Sequence, residues 1–530
     1  MSGLIHQLIT RSAVRTPDAI ALIHKNNEYS YAKLQAQVTS VAAGLVQLGL
    51  APAERVAIYL PKQPETVFGL FGAAQAGGVF VPVNPLLKPH QVAYILNDCN
   101  VRVLVTSLDR LGLLADILPQ CHDLRTVIIT GPDSLKPPTL ETIKILTWPQ
   151  AFHVMSDSTR QAHRRIDSDM AAILYTSGST GNPKGVVLSH RNMVAGAESV
   201  AEYLANRAED RLLAVLPFSF DYGLSQMTTA FLVGASVVLM DYLLPRDVVR
   251  AVERYQITGL AAVPPLWNQL AQLEWPETAA STLRYITNSG GAMPKTTTNK
   301  LQQALPSTDI YLMYGLTEAF RSTYLPPDQV SSRPESMGKA IPNAEILVVR
   351  EDGTECTPGE PGELVHRGAL VAQGYWNDPK KTAERFKPCP GQTPEIPLTE
   401  IAVWSGDQVK KDEEGYLYFI SRKDEMIKTS GYRVSPTEVE EVIYSSKLVG
   451  EAAALGVPHP TLGQAIVVLV AATEAIDEAA LLKHCQKELP NFMVPQAVLV
   501  KNSLPRNQNG KIDRKALSIE CQGLFQENQS

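Results

Sequence analysis

The sequence predicts an α/β protein in two parts: a large N-terminal domain over residues 1–420, with mixed α/β subdomains and a β-rich subdomain, and a small α+β C-terminal domain over 421–530. Three observations predict it. Strand-like apolar runs alternate with helical patterns through the first half, as in a mainly parallel sheet covered by helices. Proline and glycine then break the stretch from about residue 326 to 400 into short strands and turns. The charged run Ser421-Arg-Lys-Asp-Glu425 separates this region from a fresh series of helix and strand patterns ending near Leu517, which places a hinge there. At 530 residues the chain is too long for one core.

The elements follow in chain order. Arg55-Val-Ala-Ile-Tyr-Leu60 is an apolar run of strand length, Glu65 to Gly77 a helical stretch and Gly78-Val-Phe-Val-Pro-Val83 a second strand. Val92 to Asp98 reads as a helix leading to the strand Val101-Arg-Val-Leu-Val105. Thr126-Val-Ile-Ile-Thr130 and Ser236-Val-Val-Leu-Met240 continue the sheet, the latter followed by a helix over Asp247 to Tyr255. Thr357-Pro-Gly-Glu-Pro-Gly362 and Lys387-Pro-Cys-Pro-Gly391 supply turns for the β-rich part, and Gly415-Tyr-Leu-Tyr-Phe-Ile420 is the strand before the charged run. From Ser518 the tail is polar.

Composition removes several function classes. A net charge of −6 with both signs interspersed gives no surface for a phosphate backbone, so nucleic acid is not an expected partner. The N-terminus lacks a basic start, a sustained apolar run and a small-residue cleavage site, and no window approaches a membrane span. Cys99, Cys121, Cys356, Cys389, Cys485 and Cys521 are scattered and form no Cys-x-x-Cys pair. Reduced thiols in a cytoplasmic protein are the expectation, without structural zinc or disulfides.

The chemistry centres on Tyr175-Thr-Ser-Gly-Ser-Thr-Gly-Asn-Pro-Lys-Gly185. Gly178, Gly181 and Gly185 let backbone N–H groups converge, Thr176, Ser177, Ser179 and Thr180 add hydroxyl donors, and Lys184 adds charge, which together make a nest for phosphate oxygens. Lys184 follows Pro183 and precedes an apolar run, so this is no Walker loop. It reads as a strand-to-strand connection without a helix dipole, and the bland alternative is a Ser/Gly surface hairpin. Met313-Tyr-Gly-Leu-Thr-Glu318 combines an aromatic ring for base stacking, a hydroxyl for phosphate and a carboxylate for Mg2+. Ser289-Gly-Gly-Ala-Met-Pro294 either lets backbone approach a flat ring or simply turns at a strand end. Asp407 and Arg422 offer a carboxylate for ribose and a permanent guanidinium, or are surface salt-bridge partners. Lys511 stands on a Gly-preceded loop and by itself could be a solvated bystander.

Taken in order, Tyr175 to Gly185, Tyr314-Gly-Leu-Thr-Glu318, Ser405-Gly-Asp407, Arg422-Lys-Asp424, Thr429-Ser-Gly-Tyr-Arg433 and Asn509-Gly-Lys511 resemble the core motifs of the adenylate-forming superfamily. That superfamily includes acyl-CoA synthetases, amino-acid adenylation domains and beetle luciferases. The resemblance runs from an opening helix over Leu4 to Arg15 through Leu517, and Pro82-Val-Asn-Pro-Leu-Leu-Lys-Pro89 is further similar to acyl-CoA ligases encoded with exosortase systems. It implies a two-step ligation: a carboxylate attacks the α-phosphorus of Mg-ATP, pyrophosphate leaves, and a thiol of CoA or of a phosphopantetheine carrier then displaces AMP. By resemblance Lys511 bridges carboxylate and α-phosphate, Glu318 holds Mg2+, and Thr176 with Thr317 contacts phosphate. Asp407 and Arg422 bind ribose, while Tyr314 and Gly290-Gly291-Ala292 sandwich adenine. The small domain is implied to be mobile, with Asp424 as hinge and the loop around Gly431 opening the thiol channel in a rotated state. The Pro505-x4-Gly510-Lys511 spacing also resembles an acetylation motif, and acetylation would neutralise that lysine.

Leu216-Pro-Phe-Ser-Phe-Asp-Tyr-Gly-Leu224 departs from the usual acyl-CoA synthetase pattern, which commonly carries His where Phe220 stands. Phe220-Asp221 is similar to the pair with which amino-acid adenylation domains hold a substrate ammonium, and this similarity favours an amine-bearing acid; otherwise Asp221 caps a helix or pairs with a protein cation. The residues after Leu517 are too few for a carrier domain, so an external acceptor is expected. A luciferase-like oxygenase and a non-catalytic nucleotide-binding relative remain as alternatives.

Overall fold

The computed structural model describes all residues except 1–2, 132–133, 135–138, 153–161, 177–181, 423–425, 447, 472–476, 506–511 and 526–530. Its first sheet has the order Lys144–Thr147, Thr126–Thr130, Val101–Ser107, Arg55–Ile58, Val79–Pro82, Met170–Thr176, Lys184–Ser189. Neighbours are parallel except for the last pair, in which Thr176 lies opposite Lys184 and Tyr175 opposite Gly185. The helix Pro64–Gln75, with proline at its first turn, makes the crossover from Arg55–Ile58 to Val79–Pro82. Both faces of this sheet are covered, so its strands are apolar on both sides. Phe71, Phe80 and Leu174 contribute to the main core, while Val81, Val92, Leu96, Leu104 and Ile173 form a second cluster on the opposite face.

A second, fourteen-stranded sheet joins two textures. Its parallel half runs Ile20–His24, Ser236–Leu239, Arg211–Ala214, Gly259–Ala262, Tyr285–Asn288, Asp309–Tyr314. Its antiparallel half continues through Thr323–Leu325 and Ser336–Ala340 into Leu417–Arg422, Ile401–Lys411, Pro361–Gly368 and Ala344–Val349. The β-rich part is therefore hydrogen-bonded onto the main sheet as its continuation. One piece escapes local patterning: the ribbon Ile20–His24 and Asn27–Ser30 closes the far edge, with Leu22 opposite Val237. It is fixed there by Tyr31, whose hydroxyl donates to the Ala235 carbonyl at 2.6 Å.

The small domain is a five-stranded sheet, Tyr432–Val434, Ile427–Thr429, Gly463–Ala471 and Glu451–His459, with Ala497–Lys501 beside Gly463–Ala471. Helices Pro436–Ser445 and Glu478–Glu488 bury Val439, Ile443 and Leu481 against it. Arg514 on the last helix, Arg514–Cys521, reaches Glu440 at 2.7 Å and the Ala454 carbonyl at 2.9 Å, which anchors the chain just after the segment that carries Lys511. Among the described residues no helix is long and apolar enough to cross a membrane.

Candidate active site

A cavity of about 690 Å3 opens at the carboxyl ends of the parallel strands of the second sheet, where doubly wound folds bind ligands. Val263 follows Gly259–Ala262, Ser289 and Gly290 follow Tyr285–Asn288, and Gly315 to Thr317 follow Asp309–Tyr314; all line it. Thr176 and Pro183 reach it from the two strands that flank the Ser/Gly loop, and Pro82 and Asn84 from the first sheet. Gly431, Tyr432, Arg433 and Glu438 of the small domain close the other side.

The loop itself, Ser177, Gly178, Ser179, Thr180 and Gly181, lies outside the described residues, but its supports are defined. Tyr175 donates to Asp98 Oδ2 at 2.5 Å, and the Trp376 indole donates to the Asp98 carbonyl at 2.9 Å. Residues 374–376 run beside the outgoing strand, with Val187 N–H on the Gly374 carbonyl at 2.9 Å and Trp376 N–H on the Gly185 carbonyl at 2.7 Å. Gly185 therefore sits inside a strand, where a Cβ would come within 2.6 Å of Ile173. Its need for glycine is close packing rather than the turn that its place in the motif suggests. Lys184 stands 5.3 Å from the Tyr375 ring centre, and burial and then Lys381 lower its ammonium to about 8.

Tyr375 organises the acidic side. Its hydroxyl donates to Glu318 Oε1 at 2.6 Å, while the Ala372 N–H holds the Glu318 carbonyl at 2.9 Å. Burial works to raise the Glu318 carboxyl, but Arg433, the Tyr375 hydroxyl and Arg385 outweigh it and keep the group below the usual carboxylate range. An anionic oxygen donor of this kind suits Mg2+, which takes few protein ligands and shares the phosphates of its nucleotide. Among the described residues there is no cluster of three or more His, Cys, Asp or Glu. Nearby, the Tyr314 hydroxyl donates to Asp407 Oδ2 at 2.5 Å, which joins residues of two separate motifs. Asp407 is buried, and its backbone lies opposite that of Arg422, whose side chain lies outside the described set.

Asp221 opens the helix Asp221–Val233 and has protein partners. Arg321 Nη1 donates to its Oδ2 at 2.6 Å, and the Thr317 hydroxyl donates to its Oδ1 at 3.3 Å. The intervening Phe320 takes φ +57°, a sparsely populated conformation for a non-glycine residue, where the chain turns toward this pair. Phe220, next to Asp221, meets the Tyr432 ring edge-on at 5.0 Å, and Tyr432 stacks on Phe492 at 3.7 Å. Gly431 has φ +83°, and a Cβ there would come within 2.7 Å of Val263, so the small domain stands with this loop in the cavity. Across the same interface Gln91 donates to Glu438 Oε1 at 3.1 Å.

Thus Thr176, Gly290, Gly291, Ala292, Tyr314, Thr317, Phe220, Asp221 and Gly431 share one cavity. Glu318 and Asp407 adjoin it through Thr317 and Tyr314. Asp424 and Lys511 fall outside the described residues. Sequence reasoning missed Tyr375, Asp98 and Arg321, which partner Glu318, Tyr175 and Asp221 and have no spacing of their own, and Glu438, which meets Gln91 across the domain interface.

The cavity thus gathers residues from both domains, with the Tyr375-bound Glu318 carboxylate adjoining it. The model of the AMP-binding enzyme matches residues 9–376, and that of the AMP-binding enzyme C-terminal domain matches 438–511. The chain belongs to the AMP-binding enzyme family, the adenylate-forming ligases. The long-chain-fatty-acid–CoA ligase of Bacillus subtilis is 29% identical over 97% of this chain and 94% of its own. A linear gramicidin synthase of Brevibacillus parabrevis is 31% identical over 98% of this chain, which spans only 10% of that protein. Among solved structures, the o-succinylbenzoate CoA synthetase of Bacillus subtilis, bound to a product analogue, shares the fold with a TM-score of 0.82 at 24% identity, covering 96% of this chain and 97% of that one.

Proposed function

We propose that the protein activates a carboxylic acid with Mg-ATP to an acyl-adenylate, releasing pyrophosphate, and passes the acyl group to the thiol of CoA or of a phosphopantetheine arm on a separate carrier protein. The observation that carries this reading is the Tyr375–Glu318 contact beside the phosphate-loop supports, with the Tyr314–Asp407 pair facing the same cavity. Adenylation brings two anions together, so electrostatic stabilisation must supply most of the acceleration. In this reading Mg2+ at Glu318 supplies charge neutralisation to the phosphates. Thr176 and the loop 177–181 donate to phosphate oxygens, joined by Thr317 when its hydroxyl turns from its long bond to Asp221; Asp407 accepts from the ribose hydroxyls and Arg422 donates to them, and Gly290-Gly291-Ala292 with Tyr314 brackets the adenine. Lys511 bridges the acid and the α-phosphate, Asp424 is the hinge, and Gly431 borders the thiol channel.

The test is pyrophosphate release over a panel of acids with hydroxylamine trapping of the adenylate, followed by CoA and candidate carriers in separate wells. Lys511→Ala is expected to lower adenylation by about 10²- to 10³-fold while leaving ATP binding intact, as for removal of one preorganised electrostatic donor. Adenylation at full speed in that variant would overturn the assignment.

A further inference from the structure

Within the ligase reading, the cavity wall also bears on which acid is used. Both oxygens of the Asp221 carboxylate are occupied from within the chain, Oδ2 by Arg321 at 2.6 Å and Oδ1 by Thr317 at 3.3 Å. Arg321 does more than touch it. Its Nη2 donates to the Asp221 carbonyl at 3.3 Å and its Nη1 to the Phe320 carbonyl at 3.0 Å, and its guanidinium lies 4.8 Å from the Tyr222 ring centre. Arg321 is only 2% exposed, so the cation is built into the wall and is not a passing surface partner. Asp221, Tyr222 and Arg321 all line the cavity.

A substrate ammonium seated on Asp221 would meet this guanidinium at short range. To bind there it must either share a carboxylate whose charge Arg321 already neutralises, beside that like charge, or displace Arg321 and leave a buried guanidinium without its counter-ion; both are unfavourable. The pair is neutral as a unit, and it suits an uncharged substituent next to the reacting carboxyl. We infer that Arg321 closes Asp221 to ammonium groups, so that the substrate is a carboxylic acid with no amino group beside its carboxyl. Arg321 is thereby a specificity-determining residue that opposes the amino-acid preference suggested by the Phe220-Asp221 pair. The inference rests on the ligase reading of the cavity.

Matched pairs of non-hydrolysable adenylate mimics test it by direct binding. Calorimetric titration of the full chain with 3-phenylpropionyl- and phenylalanyl-sulfamoyladenosine, and with butanoyl- and 2-aminobutanoyl-sulfamoyladenosine, isolates the amino group in each pair. In the natural sequence the amino member is expected to bind at least roughly ten-fold more weakly. Arg321→Met is expected to narrow or invert that ratio by about ten-fold, and Arg321→Lys, which keeps the charge, to preserve it. Where Arg321→Met does not fold, the double variant Asp221→Asn/Arg321→Met, which leaves no buried charge alone, is expected to bind both members alike. Equal or tighter binding of the amino members to the natural sequence, or a ratio unmoved by Arg321→Met, overturns the inference and leaves the ligase reading standing. Failure of all four mimics to bind overturns both.

Discussion

Glu318 shows how much of this site depends on one hydroxyl. Tyr375 donates to it at 2.6 Å, and a hydrogen bond to a charged group contributes about 1.5–3 kcal/mol. Tyr375→Phe removes the donor and little volume. Pyrophosphate release is expected to fall by about ten- to a hundred-fold, with a higher Mg2+ concentration needed for half-maximal rate, as read from a Mg2+ titration. An unchanged Mg2+ profile would show that Glu318 needs no such partner. Glu318, Tyr314 and Asp407 stand out in the sequence through motifs that resemble those of the adenylate-forming superfamily, in order along the chain. Tyr375 was not, since Gly374-Tyr-Trp376 carries no chemistry until backbone bonds to Gly185 and Val187 bring it to the phosphate loop. Asp221 was legible as a residue that needs a partner, but Arg321 lies 100 positions further on and nothing in the sequence couples the two.

At the scale of elements, the strand-to-strand setting of the phosphate loop was readable, because apolar runs on both sides of it left no room for a helix. The helix Asp221–Val233 was not readable from periodicity: it is buried nearly all round, so it has no polar face to mark a turn. The Gly431 turn makes an element-level prediction. Any side chain there meets Val263 and also needs the left-handed conformation that Gly431 adopts, so Gly431→Leu should bar this placement of the turn. The thiol-transfer half-reaction is expected to drop at least roughly ten-fold while pyrophosphate release from the acid stays within about three-fold, measured separately by thioester formation and by hydroxylamine trapping. Equal losses in both halves would assign Gly431 to general stability.

For the whole molecule, the contact between the two domains carries its own proton. Glu438 is 8% exposed and Gln91 holds its Oε1; burial, reinforced by Glu441, raises the carboxyl from 4.5 to about 7. Gln91 also donates to Met493 Sδ at 3.9 Å, and Lys88 on the large domain donates to the Gln486 carbonyl at 3.4 Å. Once separated and hydrated, Glu438 returns to the ordinary carboxylate range, so between pH 4.5 and about 7 the docked form holds a proton that the separated form does not. Docking is therefore fully supported at low pH and weakens as pH rises through about 7. Energy transfer between dyes on the two domains should report falling proximity from about pH 4.5 to 7 with little further change above that, and Glu438→Gln should flatten the curve. A pH-independent signal in the natural sequence would refute this.

The ribbon at the sheet edge has a consequence during synthesis. Leu22 and Ile23 find their neighbours Val237 and Val238 only after more than two hundred further residues have left the ribosome. Until then this strand has its partner on only one edge, Asn27–Ser30, and any fragment terminated before Ser236 leaves its other edge unpaired. Such fragments should precipitate or be captured by chaperones, whereas supplying the missing half in trans would give the orphaned strand its dock.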